Sequence, residues 1–155
     1  MSTLYVDNLQ PNLGSGVTSP GHVVQTNYTT NTSWLSTTST SETSTGLSVT
    51  IAPHSSSSKI KLTAYLSALR KSGDNTMSFF WYRNGSKVET PVFGLFDTSD
   101  TQQITDSVTP ISFDAPSSTS SQTYTLYWKS ANGSTVSLNV GNWGKTVLMA
   151  EEIAQ

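Results

Sequence analysis

The chain has 155 residues, a formal net charge of −2 and no cysteine, which suits a single domain that forms its core without disulfides or thiolate metal sites. Hydrophobic residues make up 34% of the chain and charged residues 12%; both shares are low, and serine and threonine fill the difference. This composition fits β-sheets with hydroxyl-bearing outer faces better than disorder, which needs high net charge. The weak acidic charge argues against a nucleic-acid partner, and without a long apolar run we expect no membrane insertion.

The first segment, residues 1–25, differs in pattern from the rest of the chain. Its scattered apolar residues are followed by prolines and glycines, and it has too little patterned apolar surface to fold alone. A disordered tail and an extended arm that lies on another subunit are both open, and the apolar residues favour the arm. The arm contacts would be Leu4, Tyr5, Val6, Leu9 and Val17. Residues 26–155 form the predicted folded domain.

The remaining chain alternates strand-like segments with turn residues. In residues 59–69 every second residue is apolar; that length also suits a helix, but Lys59 and Lys61 on the opposite face favour a strand. The threonine-rich run 36–44 fits either a strand edge or a loop, and the polar stretch 97–109 fits an exposed loop. The other strand-like segments are residues 23–35, 47–51, 77–83, 86–90, 92–96, 111–113, 123–128, 136–140 and 145–150.

Each of two Asn-Gly pairs, Asn84-Gly85 and Asn132-Gly133, lies between two alternating segments. Both residue types tolerate the positive φ that a tight hairpin turn requires, so each pair predicts a β-hairpin. The second hairpin, within residues 122–140, would be the centre of the fold. About eight strands with frequent turn signals predict an all-β fold, an antiparallel β-sandwich of jelly-roll type preceded by the extended N-terminal arm.

The sequence contains no pattern that indicates catalysis or cofactor binding. His22 and His54 lie near turns and lack paired metal-ligand spacing, so we interpret them as surface histidines. Asp97, Asp100 and Asp106 lack the spacing of a calcium loop, and a solvated loop is the simpler interpretation. There is no Gly-x-Ser-x-Gly nucleophile motif. We therefore expect no enzymatic activity, no catalytic residues, no metal and no cofactor.

Aromatic residues are the remaining candidates for a functional role. Phe79, Trp81, Tyr124 and Trp128 lie in the two predicted hairpins, where they would contribute to the core or to contacts between subunits. Trp143 lies between glycines in a turn, where its ring could be displayed to solvent. Exposed aromatic rings give large, rigid contact areas. Trp143 is therefore the best single candidate for a surface contact.

Several segments resemble small virion structural proteins of tailed bacteriophages, especially marine and cyanobacterial phages. The opening STLYVDNLQP, with GSGVT and PGHVVQ behind it, resembles the opening of those proteins, and VLMAEEIA is similar to their closing segment. Between them, WLSTTST, TGLSVTIAP and SSKI continue the resemblance, whereas the middle of the chain from about residue 72 to 114 departs from it. The resemblance therefore frames the whole chain. Its motifs are structural and imply no catalytic residues.

The resemblance implies a non-enzymatic virion protein, a homotrimer whose arm attaches to the particle and whose sandwich faces outward. One reading is a capsid decoration or cement protein on the virion surface, with the major capsid protein as its partner. The alternative is a tail-fibre or receptor-binding protein, joined to a tail component, that contacts a host cell-surface glycan. A chain of 155 residues leaves no repeats for a fibre shaft, which favours decoration. The opening residues lack a signal peptide, consistent with assembly in a host cytoplasm.

A third reading, from a different class, is a glycan-binding β-sandwich that shares only the fold with virion proteins. Fold alone does not decide between binding functions. Saturable binding of a host polysaccharide would favour this reading over a cement protein.

Overall fold

The computed structural model describes residues 19–88, 93–95 and 105–155. The predicted arm contacts at Leu4, Tyr5, Val6, Leu9 and Val17 lie outside the described residues. Regular structure in the described part consists of β-strands and one 3-10 turn, Val140–Asn142. The strands are β1 Val23–Asn31, β2 Leu35–Thr37, β3 Thr43–Ile51, β4 Lys59–Lys71, β5 Met77–Arg83, β6 Ser86–Lys87, β7 Phe93–Leu95, β8 Thr105–Val108, β9 Ile111–Asp114, β10 Gln122–Ser130, β11 Val136–Leu138 and β12 Thr146–Ile153.

The strand pairs nest inside one another, as in a single long hairpin that is coiled on itself. β1 pairs with β12, β2 with β11, β3 with β10, and β4 with β8 and β9, all antiparallel. β5 pairs with β6 and β7 at the inner end. Coiling this ribbon gives a seven-stranded sheet, β1-β12-β4-β11-β2 with β8 and β9 on β4, and a five-stranded sheet, β3-β10-β5-β6 with β7 on β5. Two such sheets make a jelly roll, which confirms the predicted antiparallel sandwich.

The predicted hairpin across Asn132-Gly133 is wrong. β10 pairs with β3 and β5, whereas β11 pairs with β2 and β4, so this turn carries the chain from one sheet to the other. The buried Asn75 side chain holds the crossing: its Oδ1 accepts hydrogen bonds from the backbone N–H groups of Ala131 and Asn132, at 3.1 and 3.2 Å. Long-range strand pairing and a buried amide therefore outweigh the local hairpin preference of the Asn-Gly pair.

The other Asn-Gly hairpin is confirmed, although its second strand is short. Tyr82 pairs with Lys87 across the turn, and Asn84 and Gly85 have φ values of 48° and 82°. Both residues therefore adopt the left-handed conformation that a type I′ turn requires.

The other predicted strands are present in the structure, although several begin or end at different residues. The alternating run at 59–69 is strand β4, and the last run forms β12, which is central because it lies between β1 and β4. The run 36–44 contains the end of β2, a turn and the start of β3. The described part of the predicted loop 97–109 contains strand β8. β1 begins at Val23, within the segment assigned to the arm.

Both sheets contribute alternate side chains to one core. The four aromatic residues predicted as core or subunit contacts, Phe79, Trp81, Tyr124 and Trp128, are all at most 4% exposed. The rings of Phe79 and Trp128 stack with their centroids 6.3 Å apart. These side chains therefore stabilise the single chain, and they leave little surface for contact with another copy. Other large core residues are Ile51, Ile60, Leu62, Leu66, Leu69, Met77, Leu126, Leu138 and Leu148.

Candidate functional site

The outer face of the seven-stranded sheet, meaning its side chains that point away from the core, exposes several large apolar side chains. Strand register places Tyr28, Met149, Thr63 and Ile111 in one row across β1, β12, β4 and β9. Phe113 lies in the neighbouring row, on β9. Exposed fractions are 70% for Tyr28, 47% for Ile111 and 57% for Phe113. With full aromatic side chains of roughly 150–250 Å², these fractions leave several hundred Å² of apolar surface in water.

The two sheets differ sharply in what they expose. All seven large hydrophobic side chains that are exposed among the described residues lie on the seven-stranded sheet or in loops that join its strands: Val23, Tyr28, Trp34, Tyr65, Ile111, Phe113 and Trp143. Two of the charges on the outer face are paired, since Lys61 Nζ lies 2.7 Å from Glu151 Oε2. Large exposed apolar side chains grouped on one sheet are typical of an interaction site.

Side chains on the outside of the five-stranded sheet are instead paired with one another. The rings of Tyr82 and Tyr127 stack at 3.9 Å, and the Tyr82 hydroxyl donates to Glu42 Oε2 at 2.6 Å. Glu42 Oε1 accepts from Lys87 at 2.6 Å. The hydrogen bond to Glu42 and partial burial raise the pKa of Tyr82 to about 12, because both favour the neutral phenol. Lys87 also lies 4.2 Å from the ring of Phe80.

A second exposed feature is the tryptophan corner, which we define as Trp34, Arg70, Asn142 and Trp143. Trp143 is 90% exposed and Trp34 is 46% exposed. The Arg70 guanidinium lies 5.3 Å from the centre of the Trp34 ring, and the Trp34 backbone N–H donates to Asn142 Oδ1 at 2.8 Å. Two tryptophans that are distant in sequence are thus tied to one corner of the seven-stranded sheet.

The backbone that presents Trp143 is unusual and well braced. Asn139, Gly141 and Asn142 all have positive φ, at 54°, 68° and 59°, a conformation that costs energy for a residue with a Cβ. Asn139 is fully buried, and its Nδ2 donates to the carbonyl oxygens of Asn31 and Ser33 at 3.0 and 3.2 Å. This amide connects the Trp143 loop to the loop that carries Trp34.

A bulge in β4 supports the other side of the same loop. Ala68, in the bulge, has a φ of 48°. A Cβ on Gly144 would lie 2.8 Å from Ser67 Oγ and 2.9 Å from the Ala68 Cβ, so only glycine fits there. Ser67 Oγ also accepts a hydrogen bond from the Lys145 N–H at 2.7 Å. The backbone that carries Trp143 is therefore fixed on both sides of the residue.

Glu152 is a buried carboxylate that the sequence analysis did not single out. It is 0% exposed, and it accepts hydrogen bonds from the following donors at 2.7–3.3 Å: Gln25 Nε2, His54 N, His54 Nδ1, Ser55 N and Ser58 Oγ. Burial alone would raise the pKa of Glu152, but the hydrogen bonds from His54, Gln25 and Ser58 outweigh it and hold the pKa at about 2. The sequence signal that could have revealed the burial of Glu152 is the alternation along β12, in which Leu148 and Ala150 also point toward the core.

Both histidines are exposed, as predicted, but His54 has a structural partner. Its side chain is 66% exposed while Nδ1 lies 2.9 Å from Glu152 Oε2. Nearby on the molecule, the hydroxyl of buried Tyr124 and the Arg83 guanidinium share Asp114 Oδ2, at 2.8 and 2.6 Å. Burial and the bond to Asp114 raise the pKa of Tyr124. These networks join strands and turns; each polar group in them is already paired.

Apart from these features, the described residues offer a cleft but no cluster that could hold a metal ion. Within residues 19–88, 93–95 and 105–155, no three His, Cys, Asp or Glu side chains are placed to hold a metal ion. In the same ranges no helix has the length and apolar character needed to cross a membrane. A cleft of about 470 Å³ lies at one end of the outer face, lined by Lys59, Phe113, Asp114, Ala115, Ile153 and Gln155.

The fold and these surfaces define a jelly-roll β-sandwich with exposed apolar side chains on one sheet. No protein-family model matches the sequence, and no curated protein matches it. Among solved structures, the chain is similar to dimeric latent PorU from Porphyromonas gingivalis, with 12% sequence identity and a TM-score of 0.32. The similarity covers 90% of this chain and 14% of the PorU chain. A likeness at that score carries no argument about function.

Proposed function

We propose that the protein is a non-enzymatic structural protein of a phage particle, a homotrimer that decorates the capsid and is attached through its N-terminal arm. The observation that carries this proposal is the apolar outer face of the seven-stranded sheet. The proposal assigns that face to contacts between copies of the chain. Phe79, Trp81, Tyr124 and Trp128 have no such role in it, since they are buried within one copy.

The distribution of apolar surface supports assembly with identical copies. Soluble oligomers are mostly symmetric, and each copy then offers the same patch to its neighbours. The outer face carries few charges, and two of them, Lys61 and Glu151, pair with each other, which limits the repulsion of a second copy. Jelly rolls are frequent in viral particles, although this support is an analogy of fold. The resemblance of the opening and closing segments to phage virion proteins adds to it.

Capsid decoration predicts a high copy number. In purified virions, quantitative mass spectrometry against the major capsid protein should give hundreds of copies of this chain per particle. A few to a few dozen copies would contradict decoration and favour the tail-fibre or receptor-binding alternative. Absence from the particle would contradict both.

If the arm attaches the protein to the particle, removal of the arm should abolish attachment but not trimer formation. Deleting residues 1–18 should leave a folded trimer that no longer co-sediments with particles lacking the protein, because the described strands begin at Val23. The full-length chain, added to the same particles, is the control. Loss of the trimer in the truncated protein would show that the arm belongs to the subunit interface instead.

The second candidate function, a receptor-binding protein, is favoured by one observation, the display of Trp143. An aromatic ring that is 90% exposed on a braced backbone is suited to contact with a ligand outside the particle. The two candidates share the trimer and the arm but differ in copy number.

A further inference from the structure

We propose that the tryptophan corner binds a carbohydrate, and an acidic one in particular. The Trp143 indole would stack on the apolar face of a sugar ring, and the Arg70 guanidinium would pair with a carboxylate or sulfate on the same chain of sugars. This inference depends on the corner alone and not on whether the protein lies on a capsid or a tail. It deepens the receptor-binding candidate: saturable binding would favour that candidate over a cement protein, whereas absence of binding would leave the decoration proposal, which copy number tests, unaffected.

The first step is that the fold gains almost nothing from Trp143 itself. Hydrophobic side chains stabilise a protein in proportion to the apolar area they remove from water, and this indole is 90% exposed. Yet three residues with positive φ and the buried amide of Asn139 hold its loop in place. Conformational cost of this kind is typical of sites where a side chain is presented to a ligand.

The second step is that the position of the ring is set by a glycine. A Cβ on Gly141 would lie 3.1 Å from Cε2 and 3.3 Å from Cδ2 of Trp143. The indole therefore rests against bare backbone, with its other surfaces in solvent. Because the loop that carries the ring is already braced, binding has little backbone to order.

The third step concerns charge. Arg70 Cζ lies 5.3 Å from the centre of the Trp34 ring, a cation–π contact that holds the guanidinium charge at the corner. Arg70 belongs to none of the four ion pairs found among the described residues. Lys145, two residues after Trp143, is exposed and is likewise in none of them. A guanidinium held at the corner, with a second exposed cation two residues from Trp143 in sequence, favours an anionic sugar over a neutral one.

The test uses the full-length protein and sugars of matched length. Isothermal titration is expected to show saturable binding of an alginate hexasaccharide and a chondroitin sulfate hexasaccharide, and weaker binding of a neutral dextran hexasaccharide. Trp143→Ala should weaken binding of the acidic sugars by about tenfold or more. Arg70→Gln should remove the preference for acidic over neutral sugars while retaining residual binding.

Substitutions at two glycines distinguish displacement of the Trp143 ring from a general loss of structure. Gly141→Ala should weaken binding, because the new Cβ displaces the indole, whereas Gly46→Ala, also at positive φ but facing open space, should not. Circular dichroism of each variant checks folding. Absence of saturable binding to both acidic probes would overturn the proposal, as would wild-type binding by Trp143→Ala. If Trp143→Ala instead breaks up the oligomer in size-exclusion chromatography with light scattering, the corner is a protein contact and the proposal fails.

Discussion

Replacing Glu152 with glutamine is expected to lower the free energy of unfolding by about 2–4 kcal/mol. The carboxylate is 0% exposed, and donors converge on both of its oxygens. A glutamine of the same shape must direct an NH₂ group at one set of those donors, for example Gln25 Nε2 and His54 Nδ1. Donors that face donors in a buried site are unsatisfied on both sides. Urea denaturation at pH 7, followed by tryptophan fluorescence, measures the change.

The adjacent residue offers a matched control for this substitution. Glu151 lies on the outer face and pairs with Lys61 at 2.7 Å, so Glu151→Gln removes the same charge from a position with solvent access. Partly exposed ion pairs contribute about 0–1 kcal/mol. Equal losses in the two variants would contradict a special role for the buried site and would indicate that only net charge matters.

The same carboxylate predicts a sensitivity to acid. Its pKa is held at about 2, below the ordinary value of 4.5, so the folded protein binds the proton less readily than the unfolded chain. The stabilisation is therefore complete above pH 4.5 and is lost as the pH falls toward 2; a shift of this size corresponds to about 3 kcal/mol. Unfolding midpoints measured from pH 7 to 2.5 should fall steeply below pH 4.5 in the wild type and less steeply in Glu152→Gln.

If the chain forms the proposed homotrimer through its outer face, placing aspartates on that face is expected to convert the trimer to monomers without unfolding them. Tyr28→Asp and Phe113→Asp together remove two exposed aromatic rings from the β1 and β9 sides of the sheet, at positions 70% and 57% exposed. In a monomer these charges remain in water and cost little. In an assembled trimer they would be buried against apolar partners, at a cost of several kcal/mol per charge. Light scattering across a range of concentrations measures the change in mass.

The opposite sheet provides the control for this experiment. Ser44→Asp and Thr50→Asp add the same charges at exposed positions of β3, on the five-stranded sheet, and should leave the trimer intact. Circular dichroism must show that both double variants are folded. If the outer-face variant remains a trimer, the interface lies elsewhere. If the wild type is a monomer at micromolar concentration, the oligomeric part of the proposed function is wrong.

Alternation of side chains along individual strands was readable from the sequence alone. Segments such as β4 and β10 place apolar residues at every second position, and this pattern predicts which face is buried whatever the neighbouring strand is. The Asn84-Gly85 turn was equally accessible, since its positive φ values are a property of two adjacent residues. The display of Trp143 could also be predicted, because flanking glycines keep its segment out of regular strands.

Strand partners, in contrast, were decided by the tertiary structure. Asn132-Gly133 has the local signal of a hairpin, yet β10 and β11 pair in different sheets because their longer-range ladders with β3, β5, β2 and β4 fill both edges of each strand. A turn motif reports only the backbone angles of the turn. It carries no information on the hydrogen bonds that the flanking strands make with distant strands.

The candidate sites also differ in how far the sequence alone could predict them. Trp143 could be proposed from its own neighbours, but Trp34 and Arg70 join it only because β4 and the loop after β1 meet at one corner of the sheet. The Glu152 site likewise combines residues from three separate parts of the chain. Sequence therefore determined the all-β class and the facing of single strands, which depend on neighbouring residues. Only the folded structure determined strand order, the apolar outer face and the tryptophan corner, because these arise from contacts between residues far apart in the chain.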